Sequence, residues 1–226
     1  MTNHKSALVL IDLQKESNFG LDDMNHVLDN AQKIIPAFRE ADIPIIYTRQ
    51  INREDTIGLS KDEPLNEDGT PYFYNDATDQ IEIFDEIQPS ENDVVINKYR
   101  WSAFFDTSLD LMLKSLDVEH LYIGGVVTDG CLMTSVFDAY FRDYQINLIH
   151  DLCTASNEGA HQAAMLNMTN WVYNLKIFST DELIKKLNGK EYNYFKADQV
   201  DQMQFTADTM EAKFKEITNP QQSTTD

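Results

Sequence analysis

Six short runs of aliphatic and β-branched residues recur along this chain, with stretches of helical spacing set between them. They are ALVLIDL (7–13), IPIIYTR (43–49), DVVINK (93–98), LYIGGVV (121–127), INLIHDL (146–152) and LKIF (175–178). Between the first two, Val27, Leu28, Ala31, Ile34, Ile35 and Phe38 fall on one helical face. The same periodicity predicts helices over 107–117 with Thr107 as a cap, 129–142, 157–170 and 179–187. A strand that is apolar throughout must be covered on both faces, and strands separated by helices pair in parallel. The expectation is an α/β fold: a mostly parallel six-stranded sheet with helices on both sides.

The 226 residues, 42% of them hydrophobic, suffice for one full-sized core. Residues 1–187 are therefore expected to form one domain, and 188–226 a polar C-terminal extension. Within that extension Met210, Phe214 and Ile217 share a helical face that needs an apolar cover, from its own domain or from a neighbouring subunit. The closing NPQQSTTD is expected to be disordered. Eighteen basic against thirty-eight acidic residues give a net charge of −20, which opposes binding to nucleic acid or to an anionic membrane. No stretch is apolar enough to span a bilayer and the N-terminus carries no cleavage-site pattern, so a cytoplasmic protein is expected. Two cysteines, Cys131 and Cys153, are too few for a disulfide framework, and no Cys/His spacing points to a metal. No cofactor is called for.

In an open parallel sheet, ligands gather beyond the carboxyl ends of the strands. Three chemically capable residues fall there: Asp12 after the first run, Lys98 after the third, and Cys131 where a helix follows the fourth. A cysteine attacks as thiolate, and a helix N-terminus or a nearby cation lowers its pKa from about 8.5. A neighbouring carboxylate can take the thiol proton and return it to a leaving amine. Backbone N–H groups between Val127 and Cys131 are the candidate oxyanion donors. The plainer reading of each residue stays open at this level. Cys131 also fits as a small residue packed under a turn, Lys98 as a solvated strand end, and Asp12 as a cap.

The segments LVLIDLQ, KYRWSAFFDTSLDLML, GGVVTDGCLMTSVFDAYFRDY and EGAHQAAMLNM together resemble the isochorismatase-like cysteine hydrolases over nearly all of residues 7–187. The resemblance implies a Rossmann-like three-layer sandwich and an Asp12–Lys98–Cys131 triad cleaving amide, ureido or carbamoyl C–N bonds through a thioester-type intermediate. It also implies a non-proline cis peptide at Val126–Val127 that aims an N–H into the oxyanion hole formed by Val127 and Cys131. Similar nicotinamidases hold a metal with an Asp-x-His pattern after the second strand. Here that position reads YTRQINRED, which disfavours nicotinamide and leaves no metal site. Isochorismatases proper resemble this sheet but lack the cysteine.

The Ser102-Ala103-Phe104-Phe105 run is most similar to members acting on N-carbamoylsarcosine, ureidoacrylate or biuret. Gln14, Phe19, Arg49, Trp101 and Thr128 are the candidate substrate-binding residues, with Tyr74 as a further pocket wall. Each has a packing role as its alternative. His161, with Glu158 one turn before it, is expected to be structural, because its helix body lies away from the predicted edge. Cys153 follows the fifth strand on the catalytic side. The partner implied is a small amide or ureido substrate, and the family suggests a homodimer or homotetramer. The competing readings are a non-catalytic binding member of the same fold, a nicotinamidase-like amidase, and a redox sensor using both cysteines.

Overall fold

A computed structural model describes residues 5–16, 19–199, 201, 203–219 and the backbone of 223–224. The six expected strands are present as β1 (Ser6–Ile11), β2 (Ile45–Gln50), β3 (Val94–Lys98), β4 (His120–Val126), β5 (Gln145–Thr154) and β6 (Lys176–Phe178). They pair in parallel in the order β3-β2-β1-β4-β5-β6. The sheet has seven strands rather than six. After the short β7 (Tyr192–Asn193), β8 (Phe195–Lys196) adds to β6 as an antiparallel edge. Two residues of aromatic and lysine inside a polar extension leave no periodicity to read.

Alternate side chains of β1 go to opposite faces, as the pleat requires. Ala7, Val9 and Ile11 join one apolar cluster, and Leu8 and Leu10 the other. The first cluster is covered by α2 (Leu109–Ser115), α3 (Met133–Tyr140) and α4 (Glu158–Trp171), the second by α1 (Met24–Glu40) and α5 (Thr180–Leu187). This is the three-layer arrangement expected. Helix starts follow local capping: Asn157 Oδ1 accepts from the Ala160 N–H and Ser179 Oγ from the Glu182 N–H. The Thr107 hydroxyl accepts from Leu109 N, but the helix itself begins two residues later than the pattern predicts.

The extension places α6 (Met210–Thr218) on the chain's own α4 side. Ile217 is wholly buried there, with Met210 and Phe214 packed beside it, so the apolar stripe is covered within the chain. Most of the expected disordered terminus lies outside the described residues. Ser223–Thr224 pair as β9 with β7. Among the described residues no helix is long and apolar enough to cross a membrane.

The strand order reverses between β1 and β4, which opens a crevice at their carboxyl ends. Close approach of these two strands depends on Gly125, whose φ is +128° and whose missing Cβ would lie 2.1 Å from the Ile11 carbonyl oxygen. Just before that point β5 bulges, so that Gly124 alone stands opposite residues 149–152.

Candidate active site

Asp12 follows the last residue of β1, Lys98 ends β3, and β2 lies between them, so β2 must supply whatever joins the two. It does so with Thr48 and Gln50. The Thr48 hydroxyl donates to Asp12 Oδ1 at 2.7 Å, and Lys98 Nζ donates to Gln50 Oε1 at 2.9 Å and to the Arg100 carbonyl at 3.2 Å. Lys98 Nζ lies 2.6 Å from Asp12 Oδ2, with both side chains wholly buried. Apart from that ion pair Oδ2 has no hydrogen-bond partner among the described residues, which leaves a lone pair for a third group. Asp12 adopts a φ of +51°, the left-handed conformation that Asp tolerates better than most residues.

The third group is Cys131. It sits in a single π-helical turn, Thr128–Leu132, between β4 and α3, where the sequence predicts a continuous helix from 129. A cis peptide joins Val126 to Val127 at the start of this turn. The thiol lies close enough to Asp12 and Lys98 for both to act on its pKa. Burial pushes it up to about 12, the Lys98 ammonium pulls it down, and Asp12 raises it again. The expectation of a lowered pKa therefore fails: desolvation outweighs the cation, and in the resting site the sulfur keeps its proton. For Lys98 burial opposes the charge, but the Asp12 carboxylate beside it holds its pKa above the ordinary value.

Cys131 is the member of this trio that reaches a cavity of about 330 Å³. Phe19 and Trp101 line it as expected, and so do Tyr74 and Gln50. The Phe19 ring stacks on Phe73 with centroids 4.3 Å apart. Burial first, then the nearby Asp12 carboxylate, keep the Tyr74 hydroxyl well above its usual range. The long segment after β2 folds back through Asn52, whose N–H donates to the Tyr74 carbonyl, and so forms one wall and the Lys61–Glu63 rim.

Three expected binding residues do not line this cavity. Gln14 is spent on backbone: its amide donates to the Gln50 and Ile81 carbonyls and accepts from the Gln50 N–H. Arg49 points to the other side of β2, to Asn97 at 3.0 Å and Glu82 at 3.5 Å. Strand alternation is the reason, since its neighbour Gln50 takes the side facing Lys98. Thr128 is wholly buried, with its hydroxyl 2.8 Å from His161 Nδ1. His161 thus stands nearer the site than its helix body suggested, because the first turn of α4 opens at the same edge. Cys153 lines a separate cavity of about 350 Å³ and donates to the Ile149 carbonyl at 3.0 Å. Burial raises its pKa well above the ordinary value. Sequence reasoning missed Thr48 and Gln50; the signal available was their place on a strand between those of the acid and the lysine.

The chain is 25% identical over 210 residues to ureidoacrylate amidohydrolase RutB of Acinetobacter baylyi, covering 77% of this chain and 82% of that one. It is 29% identical to the uncharacterized isochorismatase family protein YaaI of Bacillus subtilis, covering 82% and 100%. Among solved structures, a cysteine hydrolase from Pseudomonas syringae pv. phaseolicola aligns with a TM-score of 0.73 at 22% identity, covering 82% of this chain and 93% of that one. N-carbamoylsarcosine amidase from Thermoplasma acidophilum aligns at 0.63 and 25% identity, covering 79% and 98%. A family model described as Isochorismatase domain matches residues 6–182, and this chain belongs to the isochorismatase family.

Proposed function

We propose that this protein is a cysteine amidohydrolase that cleaves a C–N bond of a small amide, ureido or carbamoyl compound through a thioester-type intermediate, without a metal. The observation that carries this reading is the buried Asp12–Lys98 ion pair, whose charges act on the Cys131 thiol where it reaches a cavity of small-molecule size. Similarity to proteins named as a ureidoacrylate amidohydrolase and an N-carbamoylsarcosine amidase supports the substrate class.

Because the resting thiol is protonated, its proton passes to Asp12 as sulfur bonds to the substrate carbonyl carbon. Lys98 offsets the negative charge that Asp12 and the sulfur would otherwise bring together. The N–H groups of Val127 and Cys131 take the developing oxyanion. Collapse breaks the C–N bond, and the leaving nitrogen takes the proton from Asp12. Water then attacks the thioester carbon and gives a proton to Asp12. The C–S bond breaks, the sulfur regains its proton, and the acid departs.

The test is ammonia release by wild type and Cys131→Ala over primary amides, ureido acids and biuret, with and without chelator. Turnover that needs Cys131 and is unchanged by chelator is expected. Turnover by Cys131→Ala overturns the nucleophile, and chelator sensitivity overturns metal independence. No turnover across the panel favours a binding member of the same fold.

A further inference from the structure

The Val127–Cys131 turn carries the candidate nucleophile and oxyanion donors, so whatever fixes it sets the geometry of attack. Its first helical residue, Thr128, is wholly buried, and among the described residues its hydroxyl pairs with His161 Nδ1 at 2.8 Å. His161 lies in the first turn of α4, four residues into the helix counting from Glu158. Its ring also meets Phe214 of α6, edge to face, with centroids 5.3 Å apart. Thus three segments, 128–132, α4 and the extension beyond the family-matched residues, meet at one imidazole.

The contact is suited to holding rather than to proton transfer. His161 does not line the cavity that Cys131 reaches, so it has no path to substrate there. Burial first, then His150, lower its pKa to about 4, with Asp129 opposing, so the ring is neutral near pH 7. A neutral imidazole offers one donor and one acceptor and so fixes a hydroxyl in one orientation. The aromatic edge-to-face contact restrains the ring plane. A displacement of the reacting atoms by about 1 Å costs on the order of 100-fold in rate, so a brace at this turn matters to catalysis.

We propose that His161 is a positioning residue: it anchors Thr128, and with it the Val127–Cys131 backbone, and the C-terminal helix braces it through Phe214. The extension is then a working part of the site and not an appendage. In its kinetic form this rests on the hydrolase reading, so the experiment pairs kinetics with a readout independent of turnover.

The variants are His161→Phe, which keeps a ring and removes the bond, His161→Asn, which returns a polar atom near the Nδ1 position, Thr128→Val, and the His161→Phe/Thr128→Val double variant. Phe214→Leu tests the brace with a milder change. Hydrogen exchange is expected to quicken at least tenfold in peptides covering 126–132 in His161→Phe and Thr128→Val, with β1 and β2 unchanged. The double variant matches either single one, His161→Asn restores most of the protection, and Phe214→Leu falls between. With a substrate in hand, kcat falls about tenfold and KM stays within twofold.

Unchanged exchange at 126–132 overturns the proposal. So does exchange that rises equally across β1 and β2, or a double variant in which the two losses multiply. If the wild type turns over nothing, the hydrolase reading fails while the exchange result still decides the anchor. If turnover is present and exchange at 126–132 is unmoved, the anchor alone fails.

Discussion

A protonated thiol beside a buried ion pair behaves differently from an exposed activated cysteine. Alkylation needs the thiolate, whose fraction at pH 7 falls as the pKa rises. With Cys131 held near 12, its iodoacetamide rate constant is expected to climb about tenfold per pH unit from 7 to 10 with no plateau near 9. A plateau near 9, followed by mass spectrometry at this residue, would sink the desolvated-thiol description. The Asp12–Lys98 pair sets a second expectation. Removing one partner of a fully buried pair leaves an uncompensated charge, at a cost of about 3–5 kcal/mol. Lys98→Met should therefore lower stability by that amount in urea unfolding; a loss under about 1 kcal/mol would mean that Asp12 finds another partner. At this scale the three residues proposed to carry the chemistry are legible in the sequence as chemically capable side chains, since each lies at or after a strand end that periodicity locates. The sequence does not disclose that Thr48 and Gln50 hold them. Polar residues inside a strand carry no signal until the strand order puts them between an acid and a lysine.

The elements were legible where an apolar period runs for a full turn or strand, as in α1 and β1 to β6, and illegible where it does not. The two-residue β8 and the π-helical turn at 128–132 are set by tertiary contacts, and propensity is silent on both. In β4 the close approach to β1 leaves no room for a side chain at Gly125. Gly125→Ala brings a methyl against the Ile11 carbonyl, one residue before Asp12, at a φ that alanine resists. We expect it to lower the thermal midpoint by several degrees and to reduce activity at least tenfold. Wild-type melting and kinetics would show that β4 can shift without consequence. Arg49 marks a different limit: its nearness to a strand end is legible in the sequence, but the side of the strand it takes is not, because one residue of register exchanges the two faces.

At the scale of the molecule, the three layers followed from the strand–helix succession, and the extension was resolved only by folding. Its apolar stripe packs on its own domain, so that stripe gives no reason for a second subunit. A different surface does. Trp101, Phe105 and Phe141 are 66%, 51% and 71% exposed, and all line one groove of about 460 Å³ beside α3. An exposed apolar cluster of this kind is one form that a subunit interface takes. We propose a homodimer or homotetramer formed there. Light scattering should return a multiple of the 26.0 kDa chain mass for the wild type and a lower one for Phe141→Asp; a wild-type monomer would refute it.

Trp101 belongs to both that groove and the cavity reached by Cys131. The chain has only one other tryptophan, Trp171 on α4, which lines neither. An optical probe thus stands in the wall of that cavity. In a Trp171→Phe background its emission reports occupancy of the cavity directly, so ligands can be ranked with Cys131→Ala even before any compound is known to be consumed.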